Sequence, residues 1–190
     1  MTEPLLHAPK IAAFADLWYE TRAASGQPLP AKDDLPLRKL APLMPNLTII
    51  SFDEDGRGKY LLWGTEIAAT IGADLTGSYL DEAMDAEAIA QSKLGIARFE
   101  EEHGPNARRA YWSLGRGRTG SGREILYEDI SLPYVIPATG EMRLMSCMAV
   151  LETQGYGEGQ EKRFSAKNAI WFNALDPRPV WMHLRQTETA

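Results

Sequence analysis

Three strand-like runs in the second half of the chain constrain its fold most. They lie at 109–114, 124–132 and 143–151 and are rich in β-branched and aromatic residues. Connections rich in glycine, or carrying proline and glycine together, separate them at 115–122 and 137–140. Three neighbouring antiparallel strands are the simplest arrangement of such runs.

Two shorter runs precede them. Residues 47–52 and 60–63 flank the polar, glycine-bearing stretch 53–58, which predicts a β-hairpin. A short helix closed by Gly72 follows, with the Thr65 hydroxyl as its predicted N-cap. A longer helix is predicted over 85–102 because its apolar residues recur at helical spacing before Gly104-Pro105 ends the pattern. Strands that bracket helices predict an α+β fold in which one antiparallel sheet has the helices packed against one face.

The two ends of the chain are predicted to lie outside this unit. An amphipathic helix over 9–24 must bury its apolar stripe on the domain or on a second copy, because so short a helix is marginal alone. The segment after Gly155 carries apolar residues between prolines and charges, and is predicted to dock without regular structure. The predicted division is a helix and proline-rich link at 1–34, a domain at 35–152 and a tail at 153–190.

Composition excludes some classes of function. The formal charge of −6 argues against a nucleic-acid-binding surface, which needs clustered Lys and Arg, and no segment has the roughly 18 consecutive apolar residues of a membrane span. The single cysteine, Cys147, cannot form an internal disulfide, and no apolar leader follows the first methionine. We therefore expect a cytoplasmic protein.

Apparent catalytic motifs have simpler interpretations. Residues 115–120 match G-x-G-x-x-G, but a strand-like run follows where a phosphate loop needs a helix, so a hairpin connection is favoured. The three histidines lie far apart in sequence from one another and from Cys147, which disfavours a metal site, and Cys147 itself is predicted to be buried and inert. Acidic runs at 81–85 and 100–102 are typical of a solvated helix face.

Several short blocks follow one another in an order typical of one family. They are LWY at 17–19, GQPLP at 26–30, LMPNL at 43–47, YLLWG at 60–64, TEI at 65–67, GADLTG at 72–77, LDE at 80–82, and the runs 123–133 and 143–151. In these blocks the chain resembles a PAS domain, specifically the single-domain PAS proteins common in alphaproteobacteria. The resemblance covers about residues 8–151.

The resemblance implies a PAS-like five-stranded antiparallel sheet flanked by helices, with a cavity between the sheet and the short helices. Strand alternation puts Trp63 with Leu61 on one face, and Trp112 with Ala110 and Leu114 on one face of another strand. These residues line either a ligand pocket or an ordinary core. The pocket candidates are Trp63, Ile67, Ile71, Leu75, Trp112, Tyr127, Met145 and Met148.

Two functions are compatible with these patterns. The first is a non-enzymatic sensory or adaptor module that binds a small ligand or partner proteins, with Phe14 and Trp18 of the N-terminal helix as a homodimer or partner surface. No flavin or haem motif is present, so the cofactor is unknown. The second is a small enzyme acting on a hydrophobic substrate, which needs a polar pair converging in the pocket. Only Tyr127, Glu128 and Asp129 offer such a pair, and alternation sends adjacent members to opposite faces.

Overall fold

A computed structural model describes residues 6–84, 86–119, 121–156 and 164–183. The first residue of the predicted long helix, Asp85, and one glycine of the hairpin connection, Gly120, lie outside the described residues. So do 1–5 of the N-terminal segment and 157–163 and 184–190 of the predicted tail.

In the described part of the chain, one sheet of six antiparallel strands forms the centre of the fold, in the spatial order β2-β1-β5-β4-β3-β6. The α+β class, the antiparallel sheet with flanking helices and the three consecutive strands are confirmed, and the sheet has one strand more than the five expected. The strands are β1 Leu47–Phe52, β2 Gly58–Trp63, β3 Arg109–Arg118, β4 Arg123–Val135, β5 Met142–Tyr156 and β6 Phe164–Asn173.

Five α-helices and two short 3-10 turns, at Lys32–Asp34 and Met44–Asn46, complete the described chain. The predicted N-terminal and long helices are both present. Thr65 does not cap α3, because the cap position is Gly64, where an added Cβ would lie 2.3 Å from the Pro45 carbonyl oxygen. The helices are α1 Pro9–Ser25, α2 Leu37–Leu40, α3 Thr65–Ile71, α4 Leu80–Ala83 and α5 Ala86–His103.

The sixth strand comes from the segment that was predicted to lack regular structure. Strand β6 pairs with β3 from Arg109↔Asn173 to Gly117↔Phe164. Beyond it, Trp181 packs against the rings of Trp112 and Phe172, with centroid separations of 5.8 and 5.6 Å. The prediction failed because the polar residues Ser165, Lys167 and Asn168 interrupt the apolar pattern that identifies a strand, whereas backbone pairing with β3 needs no such pattern.

The sheet has two unlike faces. One, the apolar face, is covered by α1 and by the residues that follow β6, and it carries the larger buried cluster, including Trp112, Ile130 and Leu132. The other lies under α3, α4 and α5. We call it the hydroxyl face because buried serine and threonine side chains lie on it; they are Thr48, Ser113, Ser131 and Ser146.

Helix α1 packs its apolar stripe on the apolar face of the same chain. Phe14 and Trp18 are each 1% exposed, and the Trp18 indole Nε1 donates a hydrogen bond to the Pro133 carbonyl oxygen at 2.9 Å. Arg22 donates to backbone carbonyls just beyond β6, including that of Ala174 at 2.7 Å. The assignment of Phe14 and Trp18 to a dimer or partner surface is therefore wrong for this arrangement, because the chain itself covers them.

Candidate functional site

The hydroxyl face is organised as rows of directly paired residues across the strands. One row runs from an aromatic residue, through a polar centre, to two more aromatic residues at the other side. Each neighbour in the row is the register partner of the next, so all six side chains lie on one face. In order the row is Trp63, Thr48, Ser146, Ser131, Tyr111 and Trp171.

The polar centre of this row is buried and hydrogen-bonded. Ser131 and Ser146 are 6% and 4% exposed, and their hydroxyl oxygens lie 2.6 Å apart. The next row places Met148, Asp129 and Ser113 side by side on β5, β4 and β3. A carboxyl group and several hydroxyls therefore occupy the middle of a face where an ordinary sheet protein would bury aliphatic side chains.

A β-bulge brings a tyrosine into the same site. In the β1–β2 pair, Ile49 opposes Leu62 but Ile50 opposes Tyr60, so Leu61 has no direct partner. The extra residue resets the alternation. Tyr60 consequently joins Trp63 on the hydroxyl face, with ring centroids 4.7 Å apart, while Leu61 is 39% exposed. The placement of Leu61 beside Trp63, which assumed strict alternation, is wrong.

Six of the eight predicted pocket residues come together on the hydroxyl face. Helix α3 supplies Ile67 and Ile71, the loop after it supplies Leu75, and the strands supply Trp63, Tyr127 and Met148.

Trp112 and Met145 instead belong to the large cluster of the apolar face. Trp112 is one residue from Tyr111 and Met145 one from Ser146, both in the polar row, so alternation places them on the opposite side. These two residues are corrected from pocket candidates to core residues.

Asp129 is the central acid of the hydroxyl face. Burial and then the charge of the neighbouring Glu128 raise the pKa of this carboxyl to about 7, although a hydrogen bond with the Ser131 hydroxyl opposes both effects. When Asp129 is ionised, Ser131 donates to it and accepts from Ser146. The carboxyl can therefore change protonation near neutral pH, inside the protein.

Three tyrosine hydroxyls lie within the electrostatic reach of Asp129. Burial, followed by the Asp129 charge, raises the pKa of both Tyr60 and Tyr127 well above the usual value. Burial likewise raises the pKa of Tyr111 to about 12, although a hydrogen bond with Ser113 opposes the rise. All three rings therefore keep their protons at neutral pH and can donate hydrogen bonds.

Two observations indicate unfilled bonding capacity at this site. Trp63 is 7% exposed, and its indole Nε1 is buried without a hydrogen-bond partner in the described part of the chain. Asp129 is half-buried on the same face, so part of its surface remains accessible.

The neighbouring acid, Glu128, has a different environment on the apolar face. It is 0% exposed and accepts hydrogen bonds from the Ala8 backbone N–H at 2.7 Å and from the Trp112 indole at 2.9 Å. The His7 N–H lies 3.1 Å from each of its two oxygens. Because helix α1 starts at Pro9, Glu128 satisfies the free N–H groups at the start of this helix and interacts favourably with its dipole.

Of the two polar pairs considered for an enzyme, one is separated by the sheet and the other lies on one face. Alternation separates Tyr127 from Glu128 as predicted, but Tyr127 and Asp129 are two apart and share the hydroxyl face. The sequence argument named Tyr127 with Asp129 but rejected the pair, because it applied to both candidate pairs an alternation that separates only adjacent residues. Alternation along β4 was enough to place Asp129 on this face. The placement of Tyr60 depends on a β-bulge that the sequence does not indicate.

The remaining sequence motifs have structural roles. Residues around the G-x-G-x-x-G match connect β3 and β4 as a hairpin, closed by a hydrogen bond from Thr119 N–H to the Arg123 carbonyl at 2.9 Å. Cys147 is a fully buried free thiol whose pKa is raised by burial.

Within the described ranges, no group of three or more His, Cys, Asp or Glu side chains is placed to hold a metal ion. Nor does any helix there have the length and apolar character needed to cross a membrane.

No protein-family profile matches this sequence, and no curated protein matches it either. Two solved structures of the PAS-B domain of Drosophila melanogaster Cycle do match. One, a tryptophan-to-alanine variant with bound glycerol, is 18% identical, with a TM-score of 0.40, and the match covers 55% of this chain and 98% of that one. The other, the wild-type domain with bound ethylene glycol, is 17% identical, with a TM-score of 0.37 and coverages of 55% and 99%.

Proposed function

We propose that this chain is a cytoplasmic sensory or adaptor module that binds a small ligand on the hydroxyl face, beneath α3–α5. The observation that carries the proposal is the group of buried polar side chains around Asp129. Burying hydroxyl and carboxyl groups costs free energy, and the same strands build an ordinary apolar core on their other face. A polar interior that folding does not need is best explained by a ligand. The sequence resemblance to PAS domains supports the same function.

The signal would pass through the helices that cover the site. Helix α5 buries only Phe99 fully among its described side chains, and it approaches β6 closely at Gly95. A helix with so little fully buried surface can shift at small cost when a ligand fills the space beneath it. We therefore expect ligand binding to change the docking of α5, and a signalling protein to read that change.

The test is binding to the purified protein. Native mass spectrometry of freshly purified wild-type protein should reveal a bound small molecule, and calorimetry should show it rebinding with one-to-one stoichiometry. The double variant Ser131→Ala/Ser146→Ala removes a buried hydroxyl pair together with the Ser131 hydrogen bond to Asp129, so the free energy of unfolding should fall by about 1–3 kcal/mol while affinity falls at least about 10-fold. Ser121→Ala, at the exposed hairpin turn, is the matched control and should bind like wild type. A wild-type protein that carries and binds no small molecule would rule the proposal out.

A small enzyme is the second candidate, because Asp129 and Tyr127 share the site. An acid with a pKa of about 7 suits general acid–base chemistry at neutral pH. Mass spectrometry separates the two functions. A sensor releases its ligand unchanged after prolonged incubation, whereas an enzyme converts it, and Asp129→Asn stops that conversion.

A further inference from the structure

The carboxyl of Asp129 has no basic partner among the described residues. Within the described residues, the pKa of this group is set by burial, by the second acid Glu128 and by the Ser131 hydroxyl, with no basic side chain among the causes. Ionised carboxylates inside proteins are normally paired with a cation. The partner of Asp129 is therefore expected to come from a ligand.

Aromatic rings lie to both sides of this acid along the sheet, on β2 at one side and on β3 and β6 at the other. The Tyr60 and Trp63 rings meet edge to face, with an interplanar angle of 78° and centroids 4.7 Å apart. On the other side, Tyr111 and Trp171 meet at 49° with centroids 4.6 Å apart. The faces of such rings attract cations through their quadrupoles, and most strongly where water is excluded. A carboxyl group among aromatic rings is complementary to an organic cation.

A second, independent observation concerns hydrogen bonding. The buried Trp63 Nε1 has no acceptor within the described residues. Trp63 lies in the polar row, next to Thr48 and two positions from Ser146. An unpaired buried donor costs free energy until it finds an acceptor. A ligand that fits this site therefore carries a hydrogen-bond acceptor in addition to its positive charge.

We propose that the ligand of the hydroxyl face is a small organic cation with a hydrogen-bond acceptor, such as an amino alcohol, whose charged group pairs with Asp129. The inference rests on the proposed function, and it adds the chemical class of the ligand. Glu128, one residue away, adds a second negative charge to the local field and disfavours anionic ligands. Neutral polyols can use the hydroxyls but not the charge.

The experiment compares probes that differ in charge but not in shape. Choline is paired with its neutral isostere 3,3-dimethyl-1-butanol, and ethanolamine with 1-propanol, so that both a bulky and a slender cation are sampled. Titration calorimetry at pH 8, where Asp129 is ionised, should show at least one cation binding about 10-fold or more tightly than its neutral partner. Asp129→Asn should remove that preference. Trp63→Phe should weaken the cation and its isostere alike.

The outcomes separate the ligand class from the function. Three results would overturn the cation inference and leave ligand binding in place. They are a neutral probe that binds as well as its cation, a preference for the cation that is unchanged in Asp129→Asn, and a neutral or anionic molecule recovered from the purified protein. A wild-type protein that binds none of the probes and carries no molecule would overturn both. Circular dichroism verifies that Asp129→Asn is folded, and the exposed Ser121→Ala variant serves as the control for handling.

Discussion

Glu128 and Asp129 are adjacent acids on one strand, but they lie on opposite faces of the sheet and in opposite situations. Glu128 accepts hydrogen bonds from three N–H groups, two of them at the start of helix α1. Asp129 has a serine hydroxyl beside it, and no basic group of the described residues is among the causes of its raised pKa. The first carboxyl holds the N-terminal helix on the sheet, whereas the second has no such role. This difference separates the structural role of the apolar face from the binding role proposed for the hydroxyl face.

The largest effect is expected at Glu128. Glu128→Ala leaves the buried N–H groups of Ala8 and Trp112 without acceptors, and the His7 N–H loses its acceptor as well. Each unsatisfied donor costs about 1–3 kcal/mol, so the free energy of unfolding should fall by about 3 kcal/mol or more. Urea denaturation measures it. Glu128→Gln, which keeps one acceptor oxygen, should lose less, and Glu124→Ala on the same strand should lose under about 0.5 kcal/mol. A loss below about 1 kcal/mol in Glu128→Ala would contradict the structural role of this acid.

Substitution of the neighbouring acid, Asp129, should increase the free energy of unfolding instead of lowering it. The folded-state pKa of Asp129 is about 7, above the 3.8 that is usual for an aspartate in an unfolded chain, so the folded protein binds this proton more tightly than the unfolded chain does. Stability from this group is therefore full below about pH 4 and is lost as the pH rises to about 7. Asp129→Asn, which stays neutral, should be more stable than wild type by about 2–4 kcal/mol at pH 8 and about equal to it at pH 4. Denaturation at the two pH values tests this, and a destabilised Asp129→Asn at pH 8 would contradict it.

A matched pair of tryptophans sharpens the comparison between the faces. Trp112→Phe removes a donor that is bound to Glu128 at 2.9 Å, while Trp63→Phe removes a buried donor that has no partner in the described chain. Both substitutions trim a similar apolar area. Trp112→Phe should therefore cost about 1.5–3 kcal/mol more stability than Trp63→Phe, because a hydrogen bond to a charged group is lost only in the former. Equal losses, measured by urea denaturation, would mean that the two indole groups have equivalent surroundings.

The sequence predicts the strands better than it predicts the site. The run at 47–52 coincides with β1, and the helix over 9–24 differs from α1 by one residue, because periodicity records local preference. The assignment of side chains to a face of the sheet fails where the backbone departs from regular strand geometry. The bulge at Leu61 moves Tyr60 into the site, and strict alternation cannot register it. Trp112 was grouped with the pocket by alternation along its own strand, which does not say which face of the sheet that side forms; the structure places it on the apolar face. The surroundings of Asp129 cannot be predicted from the sequence either, since they depend on which side chains other strands bring near.

The smallest expected effect concerns the cover of the hydroxyl face. Helix α5 approaches β6 where Gly95 meets Trp171, and a Cβ built at Gly95 would lie 2.2 Å from the indole Nε1. Gly95→Ala should gain roughly 1 kcal/mol of helix propensity but lose about 1–3 kcal/mol to overpacking, a net loss near 1 kcal/mol. Replacing Trp171 by Leu removes the obstructing ring, so Gly95→Ala should become stabilising in that background. Thermal denaturation of the four proteins of this cycle gives the coupling. If the two substitutions change the stability additively, α5 does not press on the sheet at this point. The cover that α5 gives to the hydroxyl face would then be looser than the cover that α1 gives to the apolar face.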